Sequence, residues 1–363
     1  MNLSRLLENR TPMEARCFPM DDIDGREVLV VVAKMTWKLS PTGVADIAHP
    51  PAQVHFFDVP WREGAFSSLR RAADAVPQKP GTDVLLTGTA YPSRPDATKQ
   101  TVSLRVETGQ STLLKSLVVH GPRVWQPGLL GLVPGPSGKL SPTPLIYELT
   151  YGGIDDTDPS AVVCDYRNLS GTGFLERRKE LKGAPAPVIE DPRYPFSSRS
   201  PAPAGFGPIP AHWQPRSARA GTHDDAWKRE RAPLRPLDFD VRHGSSAPDD
   251  QWLSTPLLGD EAVEILGAAP EGAPFRFRLP RYSPVFHSRV RGQSFEHETH
   301  LDTFHIDADE RTVELVWRTR VRIPRKTEHI EKITIFGSGP LPERAVASLA
   351  ARVHGNEPTA EAT

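Results

Sequence analysis

From Leu29 the odd positions Leu29, Val31, Ala33, Met35, Trp37 and Leu39 are all apolar, while the even ones run Val30, Val32, Lys34, Thr36 and Lys38. Side chains on a strand alternate between two faces, so this pattern predicts a long strand, buried on both faces where it starts and half exposed where it ends. Asp83–Tyr91 reads as a second strand. In Thr101–Glu107, Val102, Leu104 and Val106 alternate with Ser103, Arg105 and Glu107, and Thr108–Ser111 then turns the chain into Leu113–His120. Together the three segments predict an antiparallel meander. Farther along, Val263–Leu266 and Phe275–Leu279 are short strands separated by the turn-forming Pro270-Glu271-Gly272. The clearest alternation lies in Thr312–Ile323, whose odd positions Val313, Leu315, Trp317, Val321 and Ile323 are expected in the core. Its even positions Glu314, Arg318, Arg320 and Arg322 are expected in solvent. Ile333–Phe336 adds a strand, and Pro342–His354 carries Ala345, Val346, Leu349, Ala350 and Val353 at helical spacing behind a proline, which predicts one terminal helix with a tail after it.

The middle of the chain breaks this rhythm. Nine prolines fall between Gly183 and Pro215, a density incompatible with regular helix or central strand. The same stretch holds Tyr194, Phe196, Phe206 and Trp213, which a disordered linker lacks because each aromatic ring favours burial. It is therefore expected to be an ordered, irregular segment laid across a β core, its first half, Leu175–Ser200, mobile. The expected fold is mainly β, with antiparallel sheets in a sandwich-like assembly, a long irregular Pro-rich segment and one short C-terminal helix. Its parts are an N-terminal β region (1–175), a Pro-rich bridge (176–235), a C-terminal β region packing on the first (236–340), and the helix and tail (341–363).

Composition narrows the function classes. Lys and Arg number 44 against 45 Asp and Glu, so nothing favours phosphate neutralisation, and nucleic acid is not an expected partner. Two cysteines, Cys17 and Cys164, lack the spacing of a redox or zinc pair, which fits a reducing compartment. Arg5, Glu8, Arg10, Glu14 and Arg16 interrupt the N-terminal stretch where a signal peptide needs an apolar run. The longest apolar run is only Val28–Ala33, against the ~20 residues of a membrane span. A cytoplasmic protein without membrane insertion is expected.

Gly131–Ser141 superficially resembles a phosphate loop, but Val133 stands where the pattern needs its first glycine and Leu140 follows Lys139 where it needs Ser or Thr, so a turn is expected. His297, His300, Asp302 and His305 are possible metal ligands. On one strand, however, His297 and His300 would point to opposite faces, and His300 with Asp302 makes only two ligands, so no metal site is expected. There is no Gly-x-Ser-x-Gly elbow. Triads built from distant positions leave no local mark, so an enzyme or immunity-type protein stays open as a second class. Arg276 and Arg278 on one strand, with Arg318, Arg320 and Arg322 on another, are the candidate partner-binding residues for an acidic surface.

Taken in order, Asn9-x-Thr11-Pro12, Val30–Trp37, Ser67–Arg70, Lys79–Leu86, Gly121-Pro122-Arg123-x-Trp125, Pro144–Glu148 and Tyr151-Gly152-Gly153 form a longer signature. It continues through Arg167-Asn168-x-x-Gly171-x-Gly173-Phe174, Pro203–Ile209, Trp213-x-Pro215-Arg216, Ala220-Gly221-Thr222-x-Asp224-x-x-Trp227, Asp238–Asp240, Ala247-Pro248-x-Asp250-Gln251 and Leu301–Thr303. Over about residues 8–320 it resembles the bacterial family catalogued as domain of unknown function 2169. The chain departs from the family at Pro122, where Asp is usual, and at His223, where Tyr is usual, which bears on charge there and not on fold. The resemblance implies a type VI secretion adaptor or chaperone, non-catalytic and without cofactor, whose partners are a toxic effector and the trimeric spike protein. It also implies that Gly205-Phe206-Gly207 and Trp213 are framework. Arg70, Asp74, Lys79 and Asp83 share one family block and are expected to pair with each other or with Glu148.

Overall fold

The chain opens with β1 (Leu7–Asn9), β2 (Glu14–Asp21) and β3 (Glu27–Leu39), then β4 (Thr82–Thr87) and the hairpin of β5 (Lys99–Glu107) and β6 (Thr112–His120). After a mostly irregular stretch come β7 (Ile189–Glu190), β8 (Trp252–Leu253), β9 (Ala262–Leu266), β10 (Phe275–Arg278), β11 (Ser283–Val290) and β12 (Gln293–His297). The last strands are β13 (Leu301–Asp307), β14 (Thr312–Arg322) and β15 (Ile330–Ser338). This computed structural model describes residues 5–129, 131–176, 178–196, 201–323 and 329–340. The helix expected at Pro342–His354, and the tail after it, lie outside the described residues.

Three sheets carry the fold. The seven-stranded sheet runs β8-β4-β13-β14-β3-β2, with Ala45–Ile47 added against β3. The five-stranded sheet runs β7-β6-β5-β9-β10 and the four-stranded sheet β1-β15-β11-β12. Within them only β4–β13 and β1–β15 pair in parallel. One face of the large sheet, carrying Leu29, Val31, Met35, Trp37, Leu315 and Trp317, packs against apolar side chains of the other two, such as Leu104, Phe277 and Ile333. The expected mainly β, sandwich-like class is the observed one.

Long-range pairing changes the arrangement in three places. Strand β4 does not form a meander with β5 and β6. All six of its residues are buried, and it enters the interior of the large sheet beside β13, while β5 and β6 form a hairpin in another sheet. The N- and C-terminal β regions interleave within the sheets: β13 and β14 lie between β4 and β3, β9 pairs β5, and β15 pairs β1. Finally, β3 is buried almost throughout, including Lys34 and Thr36, because the second face of the large sheet is also covered.

The 53–58 and 73–78 loops supply that cover, with Val54 and Ala75 packed in the cluster of Val30, Val32 and Val316, while irregular chain also closes the β4 edge of the sheet, where the Leu86 amide donates to Phe206 O at 3.1 Å. Phe206 and Trp213 are fully buried, the latter edge-on to Tyr147 with ring centroids 5.7 Å apart. Gln251 Nε2 donates to the carbonyls of both Val84 and Phe206, at 2.7 and 2.9 Å, stitching the Pro-rich segment to β4. Between Leu175 and Ser200, where the chain is described, Leu181, Ala186, Ile189 and Phe196 are buried, and β7 pairs with β6. Tyr194, by contrast, is exposed.

Candidate partner-binding groove

The second face of the large sheet begins as an apolar patch and continues as charge. Phe18, Val28, Val30, Val32 and Val316 pack under Val54. Beside them, β3 presents Lys34 and β14 presents Glu314 and Arg318. A buried charge needs partners, because desolvation of a lone ion is far costlier than any packing gain. Lys34 Nζ lies 2.6 Å from Asp74 Oδ2 and 3.3 Å from Glu314 Oε2, and donates to Gln53 O at 3.1 Å. Arg71 reaches Glu314 through Nε and Asp307 through Nη2, each at 2.9 Å. Burial pushes the Glu314 carboxyl up, but Lys34 and Arg71 outweigh it and hold the pKa well below the usual carboxylate range. His305 is buried in the same cluster with Nε2 3.2 Å from Thr87 Oγ1. Burial, aided by Arg71, holds its imidazole far below its ordinary value, so it is neutral.

A second set lies closer to β4. Lys79 Nζ contacts Asp83 Oδ2 at 2.7 Å and donates to Thr303 Oγ1 at 2.8 Å. A register shift between Leu301 and Thr303 on β13 brings Asp302 against Arg318 of β14. Arg318 grips both Asp302 oxygens, and its Nη1 donates to Asp74 O at 2.7 Å and Val76 O at 2.8 Å.

These charges position backbone above the sheet. Arg318 and Lys34 hold the 73–78 loop, and Asp74 Oδ2 accepts the His55 amide at 2.8 Å, tying the 53–58 loop to it. Asp83 Oδ2 accepts the Ser246 amide at 2.7 Å. Arg216 holds the opposite wall, donating to Ile209 O at 2.6 Å and to His243 O at 3.2 and 3.1 Å. The walls approach closely: a Cβ on Gly244 would fall 2.5 Å from Gln78 O, so only glycine fits there. At the rim, Gly25 turns β2 into β3 with φ +73°, and a Cβ there would meet Leu234 Cδ2 at 2.1 Å.

Between the walls lies an open groove of about 390 Å³. Met20, Phe56, Ala75, Val76, Phe239 and Val241 supply apolar lining, and Phe57 stands beside them 84% exposed. Arg216, Arg235 and His243 supply positive or titratable groups, and Asp58 is the one lining carboxylate among the described residues. Asp58 Oδ1 accepts the Ala73 amide at 2.8 Å, so it serves the wall itself.

The arginines read from the sequence fall elsewhere. Arg318 is buried at the base of the loops, not solvent-facing, because the second sheet face is roofed at that point. Arg320 and Arg322 are exposed beyond the roof's edge. Arg276 and Arg278 are exposed on edge strand β10, where Glu264 lies 2.5 Å from Arg276 and Asp260 3.7 Å from Arg278. Arg276 adjoins Gly43, past the Leu39 end of β3, whereas Arg322 pairs with Val28 at its other end. At ~3.3 Å per residue the eleven steps from Val28 to Leu39 put the two groups roughly 36 Å apart, and they form no single patch.

In the charged family block, Lys79 pairs with Asp83 as expected, but Asp74 pairs with Lys34, Arg70 lies 3.6 Å from Asp307, and Glu148 accepts from Ser67 and Ser68. Gly131–Pro134 pairs with Trp125–Gly128 as a ribbon. The histidine run is not one strand: β12 ends at His297, β13 begins at Leu301, and His297 Nε2 meets Ser288 Oγ at 2.8 Å. Among the described residues no group of three or more His, Cys, Asp or Glu is placed to hold a metal ion. Sequence reading missed the groove, although adjacent Phe56 and Phe57 in a non-periodic, polar stretch were a signal for it.

The comparisons with known proteins bear on this site only through family. The family model described as an uncharacterized protein conserved in bacteria (DUF2169) matches residues 24–318. No curated protein and no solved structure matches the chain.

Proposed function

The chain belongs to the DUF2169 family, and from that premise we propose that it is a non-catalytic adaptor or chaperone that binds a type VI secretion effector and helps load it onto the trimeric spike. The observation that carries this reading is the open groove with exposed aromatics. Its apolar lining and the 84% exposure of Phe57 suit a protein surface that is covered in a complex. The scaffold beneath supports the same reading, since the clustered acids and bases there are taken up in internal ion pairs. Among the described residues no helix is long and apolar enough to cross a membrane.

The test is genetic and biochemical. Co-expression with the effector encoded beside the gene should yield a complex stable to size-exclusion chromatography, which then captures the spike. Deleting the gene should remove that effector from the secreted fraction and leave other secreted proteins unchanged. An effector exported normally without the chain would refute the proposal.

A further inference from the structure

The charges around the groove do not balance. Arg216 is 5% exposed, yet among the described residues no carboxylate lies within ion-pairing distance of it; its donors go to the carbonyls of Ile209 and His243. Burial disfavours its charge, and Asp58 and Asp83 offset only part of that, so its pKa is held below the usual guanidinium value. Buried cations are ordinarily paired. Arg235 is also without a carboxylate partner among the described residues, and its guanidinium carbon lies 4.4 Å from the centre of the Phe239 ring. Two arginines therefore flank an apolar cavity whose lone carboxylate, Asp58, is engaged by backbone.

Such a site is incomplete by one anion. The cavity of about 390 Å³ is within the ~300–1,000 Å³ of ligand clefts. Its apolar surface runs past the cavity onto exposed Phe57 and half-exposed Phe56, farther than a small molecule reaches. We infer that the groove binds a peptide segment of a partner protein that inserts an apolar side chain between Phe56 and Phe239 and sets a neighbouring Asp or Glu against Arg235 and Arg216. The carboxylate supplies the missing counter-ion in a charge-assisted, bidentate geometry that arginine suits, and the aromatic walls supply the desolvated surroundings that strengthen it. This deepens the adaptor reading and rests on it for the identity of the partner.

The groove is tested with a phage-displayed library of random peptides selected against the full chain. Enriched peptides should combine Leu, Phe or Trp with Asp or Glu. Phe57→Ser and Arg235→Glu, both at the rim and expected to melt like the wild type, should each weaken a selected peptide about tenfold or more. Replacing the peptide's own Asp or Glu by the amide should do the same against the unaltered protein, a measurement that needs no variant to fold. An empty selection, enrichment of basic or uncharged peptides, or binding indifferent to these changes would overturn the inference. The effector pull-down separates the two levels. Equal capture of the effector by wild type and by the Phe57→Ser/Arg235→Glu double variant refutes the groove and leaves the adaptor reading standing. Absence of capture by the wild type refutes the adaptor reading, and the peptide selection then decides the groove alone.

Discussion

Replacing Arg318 by Ser tests whether the buried charges hold the loops over the sheet. The guanidinium, 5% exposed, makes two bonds to Asp302, itself 1% exposed, and one each to the carbonyls of Asp74 and Val76. Serine leaves a buried carboxylate without its cation, the buried Asp74 carbonyl unmet and the half-buried Val76 carbonyl open. Breaking a buried pair from one side costs ~3–5 kcal/mol, and each orphaned carbonyl adds roughly 1–3 kcal/mol if water does not enter. Asp302 keeps the Thr303 hydroxyl at 2.8 Å and the field of Lys79, which lowers the total. A loss of about 4 kcal/mol is expected, a large part of the ~5–15 kcal/mol typical of a whole fold. At roughly 2–4 °C per kcal/mol for a large domain, Tm should fall by about 10 °C. The assay is thermal and urea unfolding followed by tryptophan fluorescence, with Arg320→Ser and Arg322→Ser as controls expected within ~0.5 kcal/mol of wild type. The Asp302→Leu/Arg318→Met pair should regain at least half the loss, because no charge is then stranded. If Arg318→Ser melts with the controls, the side chain does not carry the loops and the groove walls are held by other contacts.

Three further expectations follow from the same geometry. Glu314 has a depressed folded pKa, so the unfolded chain takes up the proton first as pH falls: its contribution is complete above the unfolded carboxylate pKa of about 4.3 and declines below it. Urea midpoints recorded between about pH 5 and 2 should therefore fall less steeply in Glu314→Gln than in the wild type. His305 is also depressed, so the unfolded chain again protonates first and stability declines as pH drops below about 6.5; His305→Gln should remove that part of the slope, and an unchanged slope would place the titration elsewhere. Trp213→Ala, at a fully buried ring, should cost about 3–5 kcal/mol in denaturant unfolding, whereas Tyr194→Ala, at an exposed one, should be close to neutral.

Much of the strand inventory was readable from local alternation. The odd positions of β14, and those of β3 from Leu29 on, are buried as their pattern requires, and the Thr108–Ser111 turn joins β5 to β6 through a Thr108 hydroxyl that accepts the Ser111 amide at 2.8 Å. Both depend on neighbours a few residues away. The even side of β14 could not be read the same way. Glu314 and Arg318 resemble solvent residues in sequence, but their partners Lys34, Arg71 and Asp302 come from other elements, and the chain that roofs them is irregular and carries no period. The groove is one step further removed, since Phe56, Arg216 and Phe239 meet only after three loops are hung from that face. Alternation, turn chemistry and the burial of aromatics among prolines are local free-energy preferences, and so the sequence by itself determined a β-rich chain with an ordered Pro-rich cover. Which sheet each strand joins, which charges lose water and which aromatics stay exposed depend on contacts between positions far apart along the chain, and these only the tertiary structure decided.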